Sequence, residues 1–139
     1  MYWTPRPKSG DIVQCRFPEH VGVPGPKERP ALVLQVEEAV DAPNCSVVVV
    51  AYATSRRTTM LFPGEFVVEP SAKTGLAKLT KFDLVNRHVL PFDDEWFAPA
   101  PGSSPSHPRR GRLDLTNDTL RRRLQAAIHE AKRLSKRPC

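Results

Sequence analysis

The sequence has few cysteines, and their arrangement argues against the protein classes that depend on them. Cys15, Cys45 and Cys139 are odd in number, lie far apart and form no Cys-x-x-Cys pair. Such spacing builds neither a disulfide framework nor a zinc site. The four histidines are scattered and include no pair at ligand spacing. We therefore expect no metal and no cofactor.

Long apolar runs are also missing. The longest, "SVVVVAYA", is only long enough for a strand, whereas a membrane-spanning helix needs about 20 apolar residues. The first residues, "MYWTPRPKSGD", show neither the apolar core nor the small-residue cleavage site of a secretory signal. These absences predict a cytoplasmic protein without a membrane-spanning segment.

Charge is unevenly distributed along the chain. The formal net charge is +6, but residues 109–139 hold ten basic and three acidic side chains, a balance of +7. Residues 1–108 hold eleven basic and twelve acidic side chains, a balance of −1. We interpret the basic character as a property of the C-terminal segment, with little bearing on a site elsewhere in the protein.

Residues 1–97 carry the pattern of a β-rich domain, and a chain of 139 residues is about the size of one domain. Residues 10–17 alternate as a half-buried strand does, and further apolar runs lie at the ends of the loops "PEHVGVPGPKERP" and "TSRRTTMLFPGE". We predict turns at "DAPN" and "SAKTG" and a buried-strand pattern over residues 79–92, in which "LAKLTKFDLV" with "HVLPF" completes the series of strands. This series predicts an antiparallel barrel or sandwich. We expect the acidic segment "LPFDDEWF" to cover one end of this barrel or sandwich. The alternative is that Trp96 stacks on a nucleobase.

The last third of the chain differs in composition. Residues 98–112 are rich in Pro, Ser and Gly, which predicts an extended, mobile connector. In residues 113–139 the apolar side chains recur at spacings of three and four behind a capping candidate, Thr116, which predicts a helix with one apolar stripe. We expect the stripe to pack against the domain or a second subunit. The alternative is that its arginines bind RNA phosphates.

Polar side chains stand where predicted strands begin or end. Arg29 precedes "PALVLQV", and Thr54 and Ser55 follow "VVVVAYA". Lys81 and Asp83 share one strand face because side chains two residues apart point the same way. Each of these residues also has a structural explanation. Arg29 could pair with Glu28 or Glu38, and the hydroxyls of Thr54 and Ser55 could form a turn. Lys81 and Asp83 could form a surface ion pair.

In their order along the chain, "SGDIVQCRFPE", "RPALVLQV", a valine-rich strand ending in "ATS", and "GLAKLTKFDLV" resemble the PemK/MazF toxins of bacterial toxin–antitoxin pairs. The resemblance covers about Gly10 to Phe92. It implies a mainly β, SH3-like antiparallel barrel, here followed by a C-terminal α-helix. It also implies a homodimer that cleaves single-stranded RNA without a metal and leaves a cyclic phosphate and a 5′-hydroxyl. A cognate antitoxin protein is expected to inhibit this activity.

The resemblance also assigns roles to residues. Arg29 matches the catalytic arginine and Thr54 the threonine that contacts the scissile phosphate. Lys81 and Asp83 match a basic and acidic pair in which the acidic residue is the general base and the basic residue is the general acid or a phosphate clamp. Ser55 is the polar neighbour of Thr54, and we take it, with Arg56 and Arg57 in the loop that follows, as candidates for substrate binding. Glu19, His20 and Glu28 are further candidates that compete for the role of a first-loop glutamate.

Two features of the sequence depart from the family pattern: the first loop lacks one clear glutamate match, and Lys81 stands where PemK has arginine, a more rigid donor. Two other functions therefore stay open. One is a catalytically inactive barrel that binds RNA or a protein. The other is a gyrase-directed toxin of the related CcdB type.

Overall fold

A computed structural model describes residues 1–20, 22–39 and 42–135, with the backbone alone described at 19–20, 39, 42–44 and 135. The elements are β1 (Asp11–Cys15), β2 (Pro18–His20), β3 (Val23–Pro24), β4 (Arg29–Ala39), β5 (Ala42–Thr54), β6 (Glu65–Val68), β7 (Thr80–Pro91), β8 (Arg109–Arg112) and α1 (Asp118–Ser135). The prediction of a mainly β chain with a C-terminal helix is confirmed.

Six strands form one antiparallel sheet in the order β6-β7-β5-β4-β1-β8, and β2 pairs with β3 in a separate hairpin. Within the described residues the sheet is open between β6 and β8, so closure into an SH3-like barrel is not confirmed. The strand pattern predicted over residues 79–92 is confirmed as one strand, β7. The turn predicted at "DAPN" is wrong for residues 42–44, which belong to β5, and Asp41 lies outside the described residues.

Both faces of the sheet are buried. Phe66, Phe82 and Leu113 belong to one apolar cluster, whereas Val13, Phe92 and Phe97 belong to a second. All five residues of β1 are buried, so the expectation of a half-buried strand is wrong. The reason is that both faces of β1 are covered: Ile12 belongs to the first apolar cluster, whereas Val13 and Cys15 belong to the second.

Helix α1 packs its apolar stripe on the first cluster. Leu120 and Ala127 are buried there, and Leu124 and Ala131 pack against the same residues. The packing interpretation of the stripe is confirmed for these residues. The cap is Asn117 instead of Thr116, because the Asn117 side-chain oxygen accepts the Leu120 N–H at 3.0 Å. No helix in the described part of the chain has the length and apolar character required to cross a bilayer.

Residues 98–112 pack against β1. Ala98 and Pro108 are buried, the Ala98 N–H donates to Gln14 O at 3.1 Å, and the Gln14 N–H donates to Pro108 O at 2.8 Å. The prediction of a connector is therefore wrong for Arg109–Arg112, which form the last strand of the sheet. Trp96 is also buried, with 8% of its surface exposed, which favours a covering role for "LPFDDEWF" over base stacking.

Candidate functional site

A cavity of about 610 Å³ opens where β4 begins and β5 ends. The two strands run antiparallel, with Leu32 opposite Ala51. Continuing this register by three positions along both strands aligns Arg29 with Thr54. The described residues that line the cavity are Gln14, Lys27, Glu28, Arg29, Pro30, Ala53, Thr54, Ser55, Arg56, Leu76, Ala77, Lys78, Thr80 and Arg110.

The cavity is strongly cationic. Five of the described lining residues are basic and one, Glu28, is acidic, which gives this lining a formal charge of +4. Cations gathered around a concave surface concentrate positive potential there and attract anions. The arrangement is suited to a phosphate group.

Arg29 and Thr54 are brought together, as predicted from their positions at strand ends. The expected structural explanation for Arg29 is wrong: Glu28 pairs with Arg16 at 3.5 Å and Glu38 pairs with Arg6. No carboxylate in the described ranges forms an ion pair with Arg29. Its guanidinium is therefore not neutralised by a described neighbour.

The Thr54 hydroxyl stabilises a turn and can also donate a hydrogen bond into the cavity. Its Oγ1 accepts the Arg56 N–H at 3.1 Å, which closes the turn after β5. Because a hydroxyl also carries one proton of its own, Thr54 can still donate to a bound anion. Ser55 and Arg56 line the cavity beside it, whereas Arg57 is exposed and is not among the described lining residues.

Of the three first-loop candidates, Glu28 lies at the cavity and is exposed. Glu19 and His20 belong to the backbone of β2, and their side chains fall outside the described part of the structure. Glu28 is thus the one carboxylate that the described residues place at the cavity.

Lys81 and Asp83 do not form the expected ion pair. The Lys81 Nζ, 6% exposed as a residue, donates to Met60 O at 2.9 Å and to Glu65 Oε1 at 3.3 Å. The Asp83 carboxylate instead accepts the N–H groups of Val85 and Asn86, at 2.9 and 3.3 Å. Asp83, the carboxylate nearest to Lys81 in sequence, is therefore not the ion-pair partner of Lys81. The partner is Glu65, which the neighbouring strand β6 supplies.

The sheet register still places this pair near Thr54. Lys81 lies directly opposite Thr54, and Asp83 lies opposite Tyr52, one diagonal step from Thr54. Diagonal neighbours in an antiparallel sheet are about 7–8 Å apart. Neither Lys81 nor Asp83 is among the described residues that line the cavity, so the predicted set of four side chains is brought together in part.

Sequence reasoning missed Gln14, Lys27, Lys78 and Arg110. Lys27 belongs to the predicted loop "PEHVGVPGPKERP". Because long loops in compact domains are often functional, the length of this loop was a usable signal for a binding residue. Arg110 gave none, because it belongs to the segment interpreted as a connector. The conclusion that the basic C-terminal segment has little bearing on the site is wrong for this residue.

Comparison with curated proteins gives no match. A family model described as "PemK-like, MazF-like toxin of type II toxin-antitoxin system" matches residues 8–91, which include strands β1 to β7 and most of the described cavity lining. The match covers 84 of the 139 residues. The chain therefore belongs to the family of PemK-like, MazF-like toxins of type II toxin–antitoxin systems.

Proposed function

We propose that the protein is a toxin that cleaves single-stranded RNA without a metal ion, through attack of a ribose 2′-hydroxyl on the neighbouring phosphorus. The observation that carries the proposal is the cavity shared by Arg29 and Thr54, two residues distant in sequence, within a described lining of formal charge +4. Family membership supports a toxin, and the cationic cavity supports a polyanionic substrate.

Arg29 and Thr54 supply the donors that such a reaction needs. As the 2′-oxygen attacks, negative charge gathers on the non-bridging oxygens of the phosphate. A guanidinium and a hydroxyl that both line the cavity are placed to stabilise that charge, and a preorganised donor of this kind is worth about 10² to 10³ in rate. Because DNA lacks the attacking hydroxyl, the reaction is restricted to RNA.

The reaction also requires a base for the 2′-hydroxyl proton. A general base must lie within hydrogen-bond reach of the proton that it removes. Glu28 lines the cavity, whereas Asp83 does not. We therefore assign the base to Glu28 in preference to Asp83. As the bond from phosphorus to the 5′-oxygen breaks, that oxygen takes its proton from water, because Lys81 also lies outside the described cavity lining.

The test is cleavage of single-stranded RNA by purified protein in EDTA, with product ends identified by their 2′,3′-cyclic phosphate. We expect Arg29→Ala and Thr54→Val each to lower the rate by at least about 10². We expect Glu28→Gln to lower it by about 10² to 10⁴ and Asp83→Asn by much less. Arg122→Gln, at an exposed position of α1, is the matched control and should cleave normally.

Other outcomes separate the alternatives. RNA binding without any cleavage would identify an inactive barrel of the same family, and DNA damage in cells with intact transcripts would identify a gyrase-directed toxin. If Asp83→Asn abolishes cleavage while Glu28→Gln does not, the base is Asp83. If Arg29→Ala and Thr54→Val cleave like the unchanged protein, the proposed site is wrong.

The partners follow from the family. A toxin of a type II pair is inhibited by an antitoxin protein, and we expect an acidic antitoxin segment to occupy the cationic cavity and compete with RNA. We also expect a homodimer, which sedimentation analysis would detect as twice the 15.6 kDa chain mass. A short neighbouring gene that encodes a DNA-binding domain and an acidic tail would support the antitoxin assignment.

A further inference from the structure

Arg110 brings the C-terminal segment into the cavity. It belongs to β8, lies outside residues 8–91 that match the toxin family, and lines the same cavity as Arg29 and Thr54. Among the described lining residues it is the one that the family match does not include. Any role for it is therefore a property of this chain that the family match does not supply.

The Arg110 guanidinium is fixed in place. Its Nη1 donates to Gln14 Oε1 at 2.8 Å, while Nε and Nη2 both donate to Gly75 O, at 3.2 and 2.9 Å. These bonds use three of the five N–H groups that a guanidinium carries. Within the described residues two N–H groups stay available, on a side chain whose orientation is already set.

Close backbone contact holds the strand that carries Arg110. A Cβ added at Gly111 would lie 2.3 Å from Lys73 O, and one added at Gly75 would lie 2.2 Å from Arg110 O. The Arg112 N–H also donates to Lys73 O at 2.9 Å. Strand β8 and the turn at residues 71–75 are therefore closely packed on each other, and Arg110 reaches the cavity from this unit.

The charge of Arg110 lacks a described counterion. Its three hydrogen bonds end on two neutral oxygens, Gln14 Oε1 and Gly75 O. The neighbouring Arg109 and Arg112 instead lie 3.6 and 3.5 Å from the Asp11 carboxylate. Burial lowers the pKa of the Arg110 guanidinium by desolvation, but arginine keeps its proton at neutral pH. A half-buried cation without a counterion favours an anionic ligand.

We propose that Arg110 binds a backbone phosphate of the RNA next to the scissile phosphate, so that β8 extends the binding site beyond the part that matches the family. This inference rests on the proposed function. The two free N–H groups and the oxygens of a phosphate suit a charge-assisted contact, for which a pre-oriented guanidinium is effective.

The test is binding, measured at several salt concentrations, of random-sequence single-stranded DNA eight nucleotides long, which carries phosphates but no attacking hydroxyl. For Arg110→Gln we expect about tenfold weaker binding and a reduction of about 0.7 in the slope of log K against log salt. Arg122→Gln, which removes an exposed arginine from α1, should change neither quantity. Thermal unfolding checks that the variants are folded.

The outcomes separate this inference from the proposed function. If Arg110→Gln binds with unchanged affinity and slope while the unchanged protein cleaves RNA, the inference is wrong and the function stands. If the slope falls but no protein cleaves RNA, the nuclease proposal fails and the phosphate contact stands. If the unchanged protein does not bind the oligonucleotide, the inference is wrong, and the nuclease proposal is decided by RNA cleavage alone.

A second variant covers the case in which Arg110→Gln does not fold. Arg110→Lys keeps the charge but cannot hold Gln14 and Gly75 while also presenting two N–H groups. We expect weaker binding with an unchanged salt slope. Affinity equal to that of the unchanged protein would overturn the inference.

Discussion

Lys81 and Glu65 form an ion pair inside the sheet, with side chains 7% and 10% exposed. Lys81 also donates to Met60 O at 2.9 Å, and Glu65 Oε1 accepts the Phe62 N–H at 2.7 Å. The pair therefore fixes both ends of the exposed apolar stretch at residues 60–62. Removing one partner of a buried pair leaves the other charge uncompensated.

We expect Lys81→Met to lower the free energy of unfolding by about 3 kcal/mol. The double variant Lys81→Met/Glu65→Leu should lose much less, because it leaves no unpaired buried charge. Urea denaturation of the single and double variants measures the coupling. Wild-type stability of Lys81→Met would contradict the structural role, whereas a stable double variant that cleaves RNA slowly would show that Lys81 also takes part in the reaction.

Single residues were predicted best where the strand pattern alone decides their position. Arg29 and Thr54 were identified because each lies where a hydrophobic strand meets a loop, and the β4–β5 pairing then brings them together. The partner of Lys81 was not predictable, because it depends on which strand lies beside β7. The distance between two residues along the chain does not show which strands pair in the sheet.

At the scale of elements, sequence reasoning missed β8 and also the short β2–β3 hairpin, which lies within the predicted first loop. The sequence Arg109–Arg112 has no apolar alternation, and the strand is held by backbone pairing to β1, by Asp11 and by close contact with residues 73–75. A strand held in this way shows no local hydrophobic signal. By contrast, the valine-rich β5 was predicted because both of its faces pack against apolar clusters.

We expect Gly111→Ala to separate β8 from the neighbouring turn, since the new Cβ would lie 2.3 Å from Lys73 O. The cost should be about 2 kcal/mol or more, as for other overpacked sites. Ser106→Ala, at an exposed position in the same segment, is the matched control. Equal thermal unfolding midpoints for the two variants would show that the contact between β8 and the turn is not tight in solution.

Across the whole molecule, stability should be highest in the middle of the sheet. Strand β5 lies between β4 and β7, whereas β2 and β3 form an isolated two-stranded hairpin at the first loop. Central strands open only when the whole domain unfolds, and a two-stranded hairpin has little stability of its own.

We expect the amides of β5 to exchange with deuterium far more slowly than those of β2 and β3, as measured by mass spectrometry of peptides. The physical reason is that β5 bonds to strands on both sides and packs on both faces. Equal protection of the hairpin and β5 would mean that the first loop is held by contacts outside the described structure. Binding of RNA should slow exchange in the turn at residues 71–75, because Arg110 holds Gly75 O.

The pairing of β8 with β1 also matters for how the protein is made. Asp11 pairs with Arg112, so the sheet is completed by residues that the ribosome adds about a hundred positions after those they join. Until that segment emerges, the nascent chain has Arg29 and Thr54 but not the cation that Arg110 supplies. On the proposed Arg110 contact, the unfinished chain would bind RNA less tightly than the released protein during that interval of translation.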